Sequence, residues 1–265
     1  MANSVVRLPI FEPGLGKTLR RDAWWAGPLA TFTILSAFIV YATFRAFENR
    51  YFEAGPYLSP FFSPYIPVGG IPLASSIPFL SPAMLILPGP AGFRLTCYYY
   101  RKAYYRSFGM DPPACAVGER SAHKYNGETK LFLFQNLHRF ALYVAIVFLG
   151  FLWHDFIKSL FWPAPGQSGG TEFGVGLGSL VILANCTFLS LYTFSCHSWR
   201  HLVGGSVNSF STAPFGKLRH TLWSQVSVLN KNHMLFAWVS LFGVALTDVY
   251  VRSVASGAFQ DVRFF

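Results

Sequence analysis

Charge is what this chain has least of. Only 12% of its 265 residues are Asp, Glu, Lys or Arg, against 52% hydrophobic ones, and the mean hydropathy is +0.37. Soluble domains carry about 25% charged residues, so a small water-soluble globule is excluded. Acidic residues are the scarcer sign, eleven against twenty-one Lys and Arg, which leaves a net charge of +10. The chain shows no low-complexity tail and no internal repeat. No cleavable signal peptide is expected, because the first apolar stretch follows twenty-odd polar residues and is too long for a signal core.

Long apolar runs fill the space that charge leaves. A spanning helix needs about 20 mostly apolar residues, and five stretches qualify. Trp24–Phe47 has no charge before Arg45, and Ile77–Tyr100 carries only Arg94. Leu131–Ile157 carries His138, Arg139, His154 and Asp155; residues 174–199 carry no Lys, Arg, Asp or Glu; His233–Tyr250 is apolar until Asp248. The expectation is an all-α integral membrane protein: a five-helix transmembrane bundle forming a single domain over residues 1–265. The spans are placed near 23–47, 77–100, 131–157, 173–201 and 233–255. Pro82, Pro88 and Pro90 predict that the second span is kinked or starts late. Pro56, Pro60, Pro64, Pro67 and Pro72 exclude regular helix over 51–79. A connection this long reads as a functional loop capping the outer end. Gly204, Gly205 and Pro214 break the chain after the fourth span.

Lys and Arg placement sets the orientation. With the N-terminus inside, fourteen of these residues lie on the inner side and five on the outer, with Arg94 and Arg139 inside spans. A multi-pass protein of the bacterial cytoplasmic membrane is expected, with the N-terminus cytoplasmic and the C-terminus outside. The basic inner face suits the bilayer's anionic lipids or an acidic cytoplasmic partner. Nucleic acid is not expected, because the basic residues sit in short loops rather than in one patch.

Two motifs fail on inspection. Gly14-Leu15-Gly16-Lys17-Thr18 ends like a phosphate-binding loop, but Phe11 stands where that motif needs Gly. Gly174, Gly176 and Gly178 open a membrane span instead of following a strand, so close helix packing explains them better than a dinucleotide fingerprint.

Ligand-type residues then stand out. Cys97, Cys115, Cys196, His138, His197, His201 and His233 come from distant segments, yet the span boundaries put them at one depth, near the inner face. His197 and His201 are spaced i, i+4 at the end of span four, and the same face continues through Thr193, Ser190 and Cys186. Ionisable groups in spans are costly and mark function, and cytoplasmic thiols stay reduced. Thiolates with imidazoles can hold a Cys2His2 zinc or a Rieske-type [2Fe–2S] cluster; two facing His can ligate haem b. Spacing does not choose among these. Cys186 reads as a small core residue, His123 and His220 as solvated loop residues, and His154 as the partner of Asp155.

Several runs carry a resemblance. They are Thr96-Cys97-Tyr98-Tyr99-Tyr100-Arg101-Lys102-Ala103-Tyr104-Tyr105-Arg106, Asp111-Pro112-Pro113-Ala114-Cys115-Ala116-Val117-Gly118-Glu119 and Gln135-Asn136-Leu137-His138-Arg139, with Cys196 to Gly205 and Asn232-His233-Met234. Over roughly residues 20–255 the chain resembles SdhC, the membrane anchor of the actinobacterial, mycobacterial-type succinate dehydrogenases of the Sdh1 class. The resemblance implies a flavoprotein and an iron–sulfur subunit as cytoplasmic partners, a membrane-embedded Rieske-type cluster and a quinone site. It implies Cys97 and Cys115 as thiolate ligands, with two imidazoles from His197, His201 and His233. His138 and Cys196 are second-tier candidates.

The expected function is that of an electron-carrying anchor of succinate:quinone oxidoreductase, in the respiratory chain and the tricarboxylic acid cycle, with no catalytic residue or independent activity of its own. Electrons from succinate would pass through the partners and the cluster to menaquinone or ubiquinone. Tyr98, Tyr104, Arg139, Trp199 and Trp238 are the candidate quinone residues, and an oligomer of the whole complex is compatible with the chain. The alternatives are a bis-His haem b anchor of the same enzyme class, and a metal-ion or proton transporter using the His stripe.

Overall fold

The computed structural model describes residues 16–67, 80–110, 112, 137–164 and 170–265. Cys115 and His123, the near-miss glycine motif before Gly16, and part of the proline-rich loop lie outside the described residues. Four helices among them are long and apolar enough to cross a membrane: α1 (Ala26–Glu48), α5 (His138–Lys158), α6 (Leu177–Phe194) and α9 (His233–Ala255). The fold class is the one expected, a helical membrane protein.

The stretch expected as span two is instead built from short pieces. α2 (Pro82–Ile86) and α3 (Pro88–Thr96) each begin on a proline, and α4 (Tyr98–Phe108) follows after Cys97. Proline lacks the N–H that a helix interior needs but suits a first turn, where that donor is unused anyway. Pro82 and Pro88 therefore each start a short helix, Pro90 falls in the first turn of α3, and Leu87 between the two helices keeps a helical backbone. Span four is also shorter than expected. α6 stops at Phe194, and Cys196 adopts an extended conformation (φ −63°, ψ 144°) as the cap of α7 (His197–Arg200). A π-turn over His201–Gly205 follows. A helix that was not expected, α8 (Gly216–Lys231), then leads directly into α9.

The chain divides into two compact units, residues 1–40 with 95–137 and residues 41–94 with 138–265. Within the first, the ring of Phe32 on α1 meets Phe108 on α4 edge-on at 4.8 Å, and Gly16 N–H donates to the Met110 carbonyl at 3.3 Å. α4 buries Tyr100, Arg101 and Ser107, with Cys97 buried at its N-cap.

In the second unit α6 packs most extensively on α9 and next on α5. Gly176 and Gly178 open α6 where a Cβ would collide with the Tyr57 side chain. That close approach, rather than nucleotide binding, is what these glycines serve. Two short hairpins flank the helices: β1 (Glu53–Ala54) with β2 (Tyr57–Leu58), and β3 (Phe161–Pro163) with β4 (Thr171–Phe173). Residues 262–265 lie along the start of α6, with Phe264 N–H donating to Val175 at 2.8 Å and Leu177 N–H to Val262 at 2.8 Å. Asp261 accepts from Tyr57 at 2.6 Å, from Gly178 N–H at 3.1 Å and from Tyr250. Burial, then the nearby Asp261 carboxylate, push the Tyr57 phenol well above its ordinary pKa.

The C-terminal end of α9 holds a charged clasp. Asp248 is fully buried and accepts from Tyr41 of α1 (2.6 Å), from Arg252 (2.8 Å) and from Ser59 in the loop. Arg252 also reaches Glu48 at 3.1 Å and the carbonyl of Arg50, and Glu48 takes a second donor from Arg45 at 2.6 Å. The proline-rich loop thus joins the ends of α1 and α9. His154 pairs with Asp155 at 3.6 Å, as expected, and Asp155 also accepts from Ser63.

Candidate functional site

Four helix ends meet at the opposite end of α9. α3 delivers Phe93 and Arg94 in its last turn, α5 begins with His138, α6 ends through Tyr192 to Ser195, and α9 begins with His233. His138 is the first residue of α5 among the described residues; residues 131–136, where the third span was expected to begin, lie outside them. His138 is buried, with 6% of its surface exposed.

Ring contacts join these residues in series. His138 stacks on Phe93 (4.7 Å between centroids, 13° between planes), Phe93 meets Tyr192 edge-on at 5.3 Å, and Tyr192 stacks on His233 at 5.1 Å and 19°. Arg94 lies over the Tyr192 ring at 4.8 Å and donates to the Ala237 carbonyl (3.2 Å) and to Ser240 (3.0 Å). Its charge is thus spent on the second and third turns of α9.

Both imidazoles have fixed neighbours. His138 Nε2 stands 3.0 Å from Cys196 Sγ, which also accepts from Ser198 N–H at 3.3 Å. The break after α6 makes this possible, because the extended backbone at Cys196 turns its thiol inward. His233 Nδ1 is 2.7 Å from Ser195 Oγ, and Ser195 is itself 3.1 Å from the Tyr192 carbonyl. When the hydroxyl proton points to that carbonyl, His233 donates from Nδ1 to Ser195 Oγ. Asn230 Nδ2 donates to the Ser195 carbonyl at 2.7 Å and holds this turn in place.

The expected residues divide sharply. His197 and His201 are one turn apart, the backbone N–H of His201 donating to the His197 carbonyl, but both are exposed. They do not extend the α6 stripe, of which Thr193 and Cys186 are buried, because the helix is broken before them. Cys186 is a core residue whose thiol donates to the Leu152 carbonyl at 3.3 Å. Cys97 is buried in the first unit. Among the described residues no three His, Cys, Asp or Glu stand close enough together to hold a metal ion.

Of the quinone candidates, Arg139 is exposed, Trp199 packs on Phe194 at 5.0 Å, and Trp238 lies one turn after His233, 6.4 Å from Phe242. Tyr98 is exposed under the cation–π contact of Arg101 at 4.8 Å. Tyr104 donates to the Leu95 carbonyl at 3.0 Å, and burial pushes its phenol up to about 12, so it stays protonated at neutral pH. Sequence reasoning missed Phe93, Tyr192 and Ser195. Their signal was available: Ser195 and Tyr192 lie one and four residues before Cys196, and Phe93 one before the lone charge of its segment. His220 is exposed as expected, but on α8, beside Phe210 and Trp223.

Comparison with known proteins identifies the family. No curated protein matches the chain. Among solved structures it is similar to a chain of the Mycobacterium smegmatis Sdh1 complex in the apo form, with 44% identity over 94% of each chain and a TM-score of 0.78. A family described as actinobacterial succinate dehydrogenase subunit SdhC matches residues 26–257. The chain belongs to that family, the membrane subunits SdhC of actinobacterial succinate dehydrogenases.

Proposed function

We propose that this membrane subunit carries electrons from a flavoprotein and an iron–sulfur partner to a quinone in the bilayer, by way of a Rieske-type [2Fe–2S] cluster. The observation that supports this reading is the meeting of a buried imidazole, a half-buried one and a buried thiol at four helix ends. Thiol sulfur and imidazole nitrogen are the donor types such a cluster takes, so the chemistry of the donor set fits. His138, which is buried, and His233, which is half-buried, are the imidazoles of choice, whereas His197 and His201 are exposed. Cys97 and Cys115 enter as thiolates through the resemblance alone, and Cys196, touching His138, is the thiol that geometry adds.

When bound, such a cluster supplies a one-electron relay. The chain's own groups do the rest. Ser195 sets the tautomer and orientation of His233, as hydrogen-bonded neighbours of ligating histidines generally do. Ser198 N–H stabilises negative charge on the Cys196 sulfur. Trp199, Trp238 and Arg139, with Tyr98 and Tyr104, are proposed to bound the quinone, either menaquinone or ubiquinone. The partners would dock on the basic face, with the N-terminus cytoplasmic and the C-terminus outside.

Low-temperature EPR of the reduced, purified complex tests the reading. Imidazole ligation of one iron should give a Rieske-like signal of low average g. A sharp reduced α-band of haem b without that signal would overturn it in favour of a bis-His haem anchor.

A further inference from the structure

The seam between α6 and α9 is polar from end to end. Along α9, His233, Ser240 and Thr247 recur every seven residues and so share one face. On α6 the facing line is Tyr192 and Asn185, also seven apart. Ser240, Thr247 and Asn185 are almost completely buried. Asn185 Oδ1 has no hydrogen-bond partner among the described residues, and it stands beside Gly243, where an added Cβ would sit 3.6 Å from it and 3.2 Å from the Phe188 ring. An orphaned buried carbonyl beside a missing side chain is where internal water binds. Gly243 rises about 4.5 Å above Ser240 and about 6 Å below Thr247, gaps that a chain of one or two waters each would have to bridge.

The seam has an entrance and an end. Thr247 adjoins Asp248, whose hydrogen bonds run through Arg252 to the partly exposed Glu48. At the other end Ser240 accepts from Arg94, beside Tyr192 and His233. Small polar residues alone would also suit helix packing, but packing does not call for an unpartnered amide oxygen at the centre. We infer that the α6–α9 seam is a hydrated proton route, drawing protons from the Asp248 end to the His233 end. This inference rests on the reading that quinone is reduced there. Each quinone takes two electrons from succinate, through the partner subunits, and two protons through the seam, forming an O–H bond at each carbonyl oxygen. The fixed positive charge of Arg94 holds protons back until negative charge arrives with the electrons.

The test uses the whole complex in proteoliposomes, soluble subunits outward, with a pH-sensitive dye inside and a short-chain quinone supplied. Succinate should drive quinone reduction with alkalinisation of the lumen. Thr247→Val, nearly isosteric, and Asn185→Leu, which fills the water position, should each cut lumen proton uptake at least tenfold. Succinate oxidation by a soluble dye acceptor should persist in both and verifies assembly. Normal quinone turnover with a constant lumen pH, or undiminished uptake in both variants, overturns the route alone. An intact complex that reduces the soluble dye but never quinone overturns the electron-transfer reading, and the route with it.

Discussion

The two ends of α9 show opposite ways of keeping polar groups inside a membrane protein. At the Asp248 end the groups are charged, and each charge is answered: Asp248 by Arg252, Tyr41 and Ser59, and Glu48 by Arg45 and Arg252. At the His233 end the groups are imidazoles and a thiol, steadied by aromatic rings and single hydrogen bonds. The first arrangement consumes its own valences and is suited to joining segments. The second carries less charge and rests on stacked rings and on the His138–Cys196 and His233–Ser195 contacts, an arrangement suited to placing ligand-type side chains rather than to joining segments.

The comparison breaks most visibly at the imidazole end. Replacing His138 and His233 together with Ala should abolish the Rieske-like EPR signal and quinone reduction, while dye reduction by the partners survives. The matched His197→Ala, His201→Ala double variant should keep the signal; if it is the one that loses it, the ligand assignment is reversed. At the clasp, Arg252→Met leaves Asp248 buried without its counter-ion. Removing one partner of a buried pair costs about 3–5 kcal/mol. Thermal unfolding of the solubilised complex should therefore show a clear loss of stability with an unchanged EPR line shape. An unchanged melting temperature would mean that the clasp holds nothing.

Smaller effects sharpen the distinction. Ser195→Ala should lower cluster occupancy about tenfold, the lower range for loss of a neighbour that orients a ligand. Iron content and EPR amplitude report it, and Ser195→Thr should restore both. A purely structural role would instead lower stability and leave the iron content untouched. Tyr57→Phe removes one hydrogen bond to Asp261, worth about 0.5–1.5 kcal/mol, so unfolding should shift slightly and quinone turnover not at all.

Much of the fold was legible in the sequence, because apolar runs and scarce charge fix where helices can span. For the second span the sequence showed that Pro82, Pro88 and Pro90 would kink or delay it, but not that the helix would break again at Cys97. Fewer site residues were legible. His233 was named for its place at a span boundary, and it stands there. His197 and His201 looked like a ligand pair because periodicity was carried past Cys196, where an extended residue ends the helix. Buried contacts such as His138 with Cys196 depend on that break, and no spacing rule announces it. The clasp was half visible: Asp248 and Arg45 stood out as charges in apolar runs, but their meeting depends on pairing the first and last spans.

That pairing bears on how the protein is made. Tyr41 and Asp248 are 207 residues apart, so α1 enters the bilayer long before its clasp partner is synthesised. Until α9 arrives, Glu48 has Arg45 but not Arg252, and Asp248 and Arg252 must themselves enter the membrane as charged residues, a costly step unless they are paired. Closure of the clasp therefore marks the arrival of the last spanning helix. A chain arrested earlier in insertion leaves Tyr41 and Ser59 without the carboxylate they donate to, and the loop after α1 without its anchor on α9.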